Sequence, residues 1–401
     1  MKLSIFFSLM IISTWGSLSR LYAESYNLDQ IIKIAQEKNL DSKEKSEEVL
    51  QARYQVQNQI GQILPSLHLG QIVSILQVEM IDLISSFLGF LYPSNWFQWK
   101  EKKYLYQAER YSYKSMIANQ ISHVIGLSYQ VDTLREALDI YYKYRDNISH
   151  FVEMNRERFD IGEIPLSDLK PLEIFEIRIH QDIDHLEYTY NISKQLLYSV
   201  LNLDIPYEKF NLEPLPLEQG SEDDTDNILS LERIQSSIKR SPEMRSLYYM
   251  IKGAKARSTS SYFDFLSLKG NQSNAFGYGY LSHINIARSS QKVLKIRKKR
   301  SALQLEKALR QADSDYKLRK HLIKDNKKSY ELALEWESVL KDLLKGGQSY
   351  VPEEFLSALK TQVELSSNMM RNKYLMTQSI WQLKRLEMRG EFSQYAYIRK
   401  K

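Results

Sequence analysis

Apolar residues recur at helical spacing along most of the chain. Between Gln98 and Arg158 there is no proline and a single glycine, and the apolar positions are separated by three or four residues. The main members of this seam are Val124, Leu127, Val131, Leu134, Leu138, Tyr141, Ile148 and Val152. Such spacing predicts one helix, on the order of 90 Å long, whose apolar seam must pack against another helix.

This helical pattern is interrupted in the segment RFDIGEIPLSDL (158–169). Gly162 and Pro165 break the helix, and a helical pattern resumes over 166–203. A glycine and a proline this close together mark a turn. We therefore predict that the two helices fold back on each other as a hairpin with its tip at 159–166.

Strand-like alternation precedes the long helix. Residues 28–64 are helical in pattern, and the segments PSLHLGQIV and FLGFLYPSNWF follow with a period of two. A period of two is typical of strands that bury one face. The sequence thus predicts two strands between about residues 66 and 97.

The same order of elements then recurs. A helical segment at 231–258 is followed by two strand-like segments within about 262–286, of which FGYGYLSHINI has the clearest alternation. A second proline-free helix covers 288–345, a second turn has its tip at 345–353 in LLKGGQSYVPEEF, and a last helix covers 352–388. Each half is therefore predicted as helix, strand, strand, long helix, turn and helix.

This recurrence predicts the organisation of the whole chain. Two tandem repeats occupy 24–203 and 228–390, joined by a linker at 204–227 that is rich in proline and acidic residues and followed by a tail at 391–401. Two strands per repeat would leave their edges unpaired, and four per chain are too few to close a barrel. Several copies could pool their strands into one barrel, which can span a bilayer with its backbone groups paired. The predicted fold class is mainly α with a small β part.

The first residues predict export from the cytoplasm. Residues 1–23 contain Lys2, an apolar run and a candidate cleavage point after Ala23, as in a signal peptide; a membrane anchor that stays in place is the alternative. The chain contains no cysteine, which excludes disulfides and a lipid-modified N-terminal cysteine. After residue 23, no stretch of the sequence approaches twenty apolar residues.

Charge and candidate chemistry exclude several classes of function. The net charge is +6, and the densest basic run is KVLKIRKKR (292–300). Its interleaved apolar residues favour the basic flank of an amphipathic helix over a nucleic-acid site. His180 and His185 are five residues apart and do not share a helical face, which makes a poor metal site. We predict no enzymatic activity, no cofactor, no metal and no nucleic-acid partner.

Four segments, read with this order of elements, point to a known family: NLDQIIKIAQEKNLDSK, QARYQVQNQIGQILPSLHLG, LYPSNWFQWKEK and RFDIGEIPLSDL. On these segments, the sequence resembles the TolC-type outer-membrane efflux family over nearly the whole mature chain. The segment RFDIGEIPLSDL is the most similar, because it has the family's hairpin-tip spacing of an aromatic residue, then glycine three positions later, then aspartate six positions after the glycine.

The resemblance implies a homotrimer in the outer membrane of a Gram-negative-type bacterium. In that family, a twelve-stranded barrel continues into a periplasmic tunnel of coiled helices. The duct passes drugs or proteins outward from an inner-membrane pump through a periplasmic adaptor, as in tripartite efflux or type I secretion. The alternative is a periplasmic coiled-coil adaptor or scaffold that never enters the membrane, since it would share the signal peptide and the hairpins.

The resemblance also implies roles for individual residues. The set implied to dock the adaptor at the two tips is Phe159, Gly162, Gly346 and Gly347, and the set implied to form the entrance constriction is Asp168, Glu353 and Glu354. Two positions depart from the family: Ser357 stands where relatives have a second acidic ring residue, and Gln348 or Ser349 where they have an arginine.

An aromatic cluster follows the second predicted strand. It consists of Trp96, Phe97 and Trp99. Amphipathic aromatic rings are enriched where a barrel meets the membrane surface. From the sequence alone, the cluster is predicted either as such a membrane-interface girdle, next to outer-membrane lipid, or as ordinary packing between barrel and helices.

Overall fold

The computed structural model of the protein describes residues 24–64, 90–216, 229–263, 278–345 and 352–396. Most of these residues are helical. The helices are α1 (Leu28–Lys38), α2 (Leu40–Ile63), α3 (Pro93–Asp160), α4 (Leu166–Leu201), α5 (Leu231–Arg240), α6 (Pro242–Phe263), α7 (Tyr278–Lys345) and α8 (Pro352–Glu387). The strands are β1 (Glu24–Tyr26) and β2 (Phe210–Leu212), and short 3-10 helices cover Tyr207–Lys209 and Gly390–Tyr395.

A long helix followed by a shorter one occurs twice. The helices α3 and α7 each contain 68 residues. The helices that follow them, α4 and α8, each contain 36 residues. The first hairpin therefore has the elements that the apolar periodicity predicts.

The described residues form two compact units, and the first contains residues 24–39, 121–216, 314–345 and 352–381. Its core is an apolar cluster contributed by α3, α4, α7 and α8. The buried members of the predicted seam are Val124, Leu127, Val131, Leu138, Ile148 and Val152. Their burial confirms that the three-and-four spacing marks a packed helix face.

The facing helices bury residues at the same spacing. On α4, the positions that enter the core are Leu172, Phe175, Ile179 and Ile183. On α8, they are Phe355, Leu356, Leu359 and Val363. The rings of Phe151 on α3 and Phe355 on α8 have centroids 4.1 Å apart. The core of this unit therefore consists of long helices that bury their apolar stripes against one another.

The predicted linker is partly an ordered element of this unit. The strand β2 lies in its middle and pairs in parallel with β1. Phe210 is fully buried, and Leu212 and Leu215 are buried as well. Asp132 on α3 accepts a hydrogen bond from the backbone N–H of Leu215 at 3.0 Å. Within the predicted linker or equatorial segment at 204–227, residues 207–216 are therefore ordered, because three apolar side chains among the polar ones anchor them.

The second unit contains residues 40–64, 90–120, 229–263, 278–313 and 382–396. In it, α6 presents small residues to α3. Ser246 and Ser260 donate hydrogen bonds from their hydroxyls to backbone carbonyls of α3, at 3.0 and 3.1 Å. A Cβ atom built on Gly253 would lie 3.5 Å from the side chain of Leu105. Small side chains thus let the two helices approach closely.

Two helices predicted as continuous are each divided in two. The predicted helix at 28–64 is interrupted at Asn39, whose side-chain amide donates to the backbone carbonyl of Val200 at 3.2 Å. The predicted helix at 231–258 is interrupted at Ser241, which is followed by Pro242. Proline suits the first position of a helix because its missing N–H has no helical partner there. The interruption at Asn39 depends on a contact with a distant part of the chain.

Three of the segments predicted as strands are helical in part where the structure describes them, at 93–97, 262–263 and 278–286. The strand region predicted at about 66–97 ends too late, because α3 already begins at Pro93. The segment FGYGYLSHINI is helical from residue 278 onward. In that segment, Tyr280 and Ile284 are four residues apart and Ala287 follows three later, so they also share a helical face; Ile284 and Ala287 are buried. The helical period therefore competes with the period of two.

The remaining predicted strand segments, at about 66–89 and 264–277, lie outside the described residues, as do the predicted signal peptide and most of the second tip. Within the part of the chain that is described, no helix combines the length and the apolar composition that a membrane span requires.

The second unit also contains a partly buried ion pair. The guanidinium group of Arg385 on α8 donates to Glu243 on α6 and to Asn119 on α3. Ser115 donates to Glu243 at 2.7 Å. Burial alone would raise the pKa of Glu243, but the Arg385 charge and the Ser241 and Ser115 hydroxyls outweigh it and hold this pKa below its ordinary value. The carboxylate is therefore ionised in the folded protein and ties three helices together.

We expect Arg385→Met to destabilise the protein by about 2 kcal/mol, because it leaves the Glu243 carboxylate without its cation in a partly buried site. A depressed pKa contributes stability that is complete above the unfolded-state pKa and is lost as the pH falls through the folded-state pKa. The deficit of the variant should therefore shrink below about pH 4. Melting temperatures of the purified protein from pH 7 to pH 3 measure it.

The matched control is Arg310→Met, which breaks an exposed pair with Glu306 one turn away on α7. Exposed pairs contribute less than about 1 kcal/mol. Equal losses of stability in the two variants, or a deficit that does not depend on pH, would show that the Arg385 pair stabilises the protein no more than an exposed pair does.

Candidate docking surface at the hairpin tip

The turn between α3 and α4 is closed by backbone hydrogen bonds. The N–H of Glu163 donates to the carbonyl of Arg158 at 2.8 Å, and the N–H of Gly162 donates to the carbonyl of Phe159 at 2.9 Å. This pair of bonds is a Schellman motif, which satisfies the last carbonyls of a helix and requires a left-handed residue. Gly162 provides it, with a φ of 81°.

Side chains fix the same turn on both flanks. Arg158 and Glu163 form an ion pair at 2.9 Å across it. Ile164 is buried, and Pro165 then caps the start of α4. Glu173 on α4 pairs with Arg156 at 2.9 Å and with Lys170 at 2.7 Å, which lowers the pKa of Glu173. The tip is therefore held in one conformation by contacts on both helices.

Two exposed apolar side chains flank the tip glycine. Ile161 is 71% exposed and Leu166 is 50% exposed, and Gly162 lies between them in sequence. A Cβ atom at Gly162 would have no other atom within 4 Å, so the surface there is open. Phe159, which the resemblance assigns to docking, is only partly exposed. Sequence reasoning missed Ile161 and Leu166, although an isoleucine and a leucine in a turn between polar residues were a usable signal.

Asp168 lies in the first turn of α4. Its N–H donates to the carbonyl of Pro165 at 3.1 Å, and its carboxylate accepts from the Ser167 hydroxyl at 3.0 Å. A carboxylate in the first turn stabilises the helix, because it interacts favourably with the positive end of the helix dipole. In the described part of a single chain, no cation pairs with Asp168. The structure therefore supports a helix-stabilising role for Asp168, and its implied role in the entrance constriction stays a prediction.

The acidic pair implied for the entrance is at the start of α8. Pro352, Phe355 and Leu356 are buried, so Glu353 and Glu354 point to solvent in the first turn. Acidic residues in a first helical turn also interact favourably with the helix dipole, so Glu353 and Glu354 have a stabilising role besides the one implied at the entrance. Gly346 and Gly347 lie outside the described residues.

The aromatic cluster at the start of α3 is in the second unit. Trp96 is 37% exposed, packs edge-to-face on Phe90 and Trp99, and donates from its indole N–H to the carbonyl of Phe90 at 2.9 Å. Phe97 stacks on Phe263 of α6 at 5.7 Å. Phe90 and Leu91 are both exposed beside Trp96. Ordinary packing therefore accounts for Phe97, which lies inside the unit. Trp96 faces outward, as a residue of a membrane-interface girdle would.

Among the residues that the structure describes, no group of three or more histidine, aspartate or glutamate side chains is arranged to hold a metal ion. The tip offers a rigid turn with an exposed apolar surface and nearby carboxylates. Such a surface is suited to protein contacts rather than to bond-making chemistry.

Solved structures with this fold are outer-membrane channels and proteins. The CmeC outer membrane channel of Campylobacter jejuni has a TM-score of 0.71, 13% identity and coverage of 92% of this chain and 88% of its own. The outer membrane protein VceC of Vibrio cholerae has a TM-score of 0.72, 9% identity and coverage of 90% and 96%. The MtrE outer membrane channel of Neisseria gonorrhoeae, solved in its open state, has a TM-score of 0.69, 13% identity and coverage of 90% and 89%.

No protein-family model and no curated protein matches the sequence. The similarity therefore lies in the fold, and it extends over about nine-tenths of the chain. The chain has the fold of outer-membrane channels, and at this level the resemblance to the TolC-type family is confirmed. The structures that it resembles are channels rather than enzymes.

We expect Gly162→Ala to destabilise the first hairpin by about 1 kcal/mol. An alanine must adopt the left-handed conformation that the Schellman motif requires, which is unfavourable for any residue with a Cβ atom. Since the space around Gly162 is open, backbone strain is the only cost. Hydrogen exchange of the backbone amides at 159–166, together with the melting temperature, measures the effect.

The control is Gly126→Ala, in the interior of α3 and in the same unit. Its Cβ atom would also meet no other atom within 4 Å, so alanine should stabilise the helix by about 0.5–1 kcal/mol. The two substitutions are therefore expected to have opposite signs. Stabilisation by both would contradict the left-handed turn at Gly162.

Proposed function

We propose that this protein is the outer-membrane exit duct of a tripartite efflux or type I secretion system. The observation that carries the proposal is the pair of hairpins, each a 68-residue helix followed by a 36-residue helix, in a chain that superposes on outer-membrane channels over about nine-tenths of both lengths. A duct of this kind would receive small molecules or proteins from a periplasmic adaptor and an inner-membrane pump, and would release them outside the cell.

The proposed duct is a homotrimer of a duplicated chain. The barrel in the outer membrane would contain twelve strands, contributed equally by the three chains from the segments that precede α3 and α7. Closure of the barrel would pair every strand edge. Trp96 would lie near the membrane surface, and the helices would extend into the periplasm.

Exposed apolar residues on α7 support the oligomer. In the first unit, six large apolar side chains of this helix face solvent: Leu318, Leu332, Leu334, Trp336, Val339 and Leu343. Four of them, Leu332, Trp336, Val339 and Leu343, are separated by four, three and four residues and so share one helix face. A stripe of this length on a helix that already buries its other face needs a partner, and a second copy of the chain would supply a helix of the same kind.

The alternative, a periplasmic coiled-coil scaffold or adaptor, is less favoured. It would also need long hairpins, and exposed apolar stripes would suit it equally well. The structural similarity, however, extends over about nine-tenths of chains described as outer-membrane channels and is not restricted to the hairpins. The two proposals differ in where the protein is found and in its oligomeric state.

We expect the mature protein to fractionate with the outer membrane and to migrate as a trimer in unheated detergent gels and as a monomer after heating. Replacing Leu332 and Val339 with glutamate should reduce the trimer at least about tenfold, because each substitution would bury an unpaired carboxylate in the dry contact. Recovery only as a soluble periplasmic monomer would overturn the duct and favour the scaffold. The control is Lys327→Glu with Lys328→Glu, two exposed polar positions of the same helix.

We also expect Glu353→Gln with Glu354→Gln to weaken divalent-cation block of single-channel current by about tenfold. If the carboxylates of three chains meet around the entrance, they would repel one another and bind cations. The control is Glu364→Gln, an exposed carboxylate further along α8. Unchanged block in the double variant would remove the pair from the constriction, while the trimer assay would still test the duct.

A further inference from the structure

A pocket of about 970 Å³ opens in the second unit. It is formed by α5, α6, α7 and the C-terminal 3-10 helix, and its volume is at the upper end of the range of small-molecule sites. Its floor contains the buried side chains of Met244 and Met388 together with Ile238, which is partly buried. The pocket is therefore large enough for an organic ligand and has an apolar surface on which such a ligand can lie.

Every charged side chain that lines the pocket is a cation. They are Lys239 and Arg240 at the end of α5, Arg245 on α6 and Lys298 on α7. Among the described residues, no carboxylate pairs with Lys239, Arg240 or Lys298. These three cations without a carboxylate partner lie on a concave surface and concentrate a positive potential there. The pocket thus has the electrostatics of an anion site.

Tyr248 lies at the centre of these cations. The Arg245 guanidinium is 4.5 Å from the centroid of its ring, and the Lys298 ammonium is 5.4 Å from it. Lys252 lies 4.7 Å from the same ring. The hydrogen bond with Lys252, followed by the charges of Lys252, Arg245 and Lys298, lowers the pKa of Tyr248, which reports the same positive potential at a second group.

The basic run at 292–300 supplies one of these residues. Lys298 enters the pocket and is partly buried, whereas Lys295 and Lys299 on the same helix are exposed. The run is therefore not a uniform basic face. One lysine is directed to a shaped site, and its neighbours supply a general positive surface.

We propose that this pocket binds an organic anion, with its phosphate, sulfonate or carboxylate group at Lys298 and Arg245 and its apolar body on Met244 and Met388. Arginine and lysine bind such groups by charge-assisted hydrogen bonds. The apolar floor would discriminate against inorganic anions, which gain nothing from it. The site is independent of the proposed transport role, because it lies in one chain and needs no pump or adaptor.

The test is calorimetric titration of the purified mature protein with 1-naphthyl phosphate, and separately with inorganic phosphate. We expect saturable binding of 1-naphthyl phosphate, at least about tenfold tighter than that of inorganic phosphate. Lys298→Gln should weaken it about tenfold, as the loss of one charge-assisted hydrogen bond implies. Lys298→Arg should retain it, since the charge and the hydrogen-bond donors remain.

The matched control is Lys295→Gln, which removes the same charge from the exposed side of the same helix. It should leave the affinity unchanged within about twofold. Absence of saturable binding by the unmodified protein would overturn the proposal. Equal weakening by Lys295→Gln and Lys298→Gln would also overturn it, because it would show only a general attraction of anions to the basic run.

Discussion

The structure depends on the burial of apolar stripes between long helices, because tertiary packing contributes more to their stability than helix propensity and side-chain pairs do. In the first unit, α3, α4, α7 and α8 share one apolar cluster, and each contributes residues at helical spacing. The stacking of Phe151 on Phe355 links the first hairpin to the second within this cluster. Because an isolated helix in water gains little from propensity alone, these contacts set both the fold and the positions of the hairpin helices near the tip.

The helices of the second unit are held together by a different kind of contact. Its helices approach through small residues, and serine hydroxyls satisfy backbone carbonyls on α3. The ion pair between Arg385 and Glu243 adds a specific polar link among three helices. Polar contacts of this type fix the alignment of helices more narrowly than apolar contacts do, because a displaced partner leaves a buried group unsatisfied. These polar contacts hold the helices of the second unit in place, and the cationic pocket lies between helices of this same unit.

Periodicity accounts for the features of the fold that were predicted from sequence. The seam from Val124 to Val152, the hairpin turn at Gly162 and the pairing of a long with a shorter helix all follow from local spacing and from one glycine and one proline. The interruption at Asn39 could not be predicted, because it depends on an amide that bonds to Val200, 161 residues away. The helical start of α7 was missed because Tyr280, Ile284 and Ala287 satisfy a helical period while their neighbours satisfy a period of two. In the linker, the acidic residues and prolines favoured an exposed segment, although Phe210, Leu212 and Leu215 are buried.

The candidate site shows the same division between local and distant information. The left-handed glycine was predictable because only a residue without a Cβ atom adopts that conformation readily. The exposure of Ile161 and Leu166 near this glycine was not predictable, since it depends on how α3 and α4 pack below the turn. A rigid turn with two apolar side chains exposed gains little by rearranging, so a partner that covers them meets a prepared surface and loses little conformational entropy on binding. The ion pairs of Arg158 with Glu163 and of Arg156 with Glu173 would therefore aid the proposed docking only indirectly, by holding this surface in one conformation.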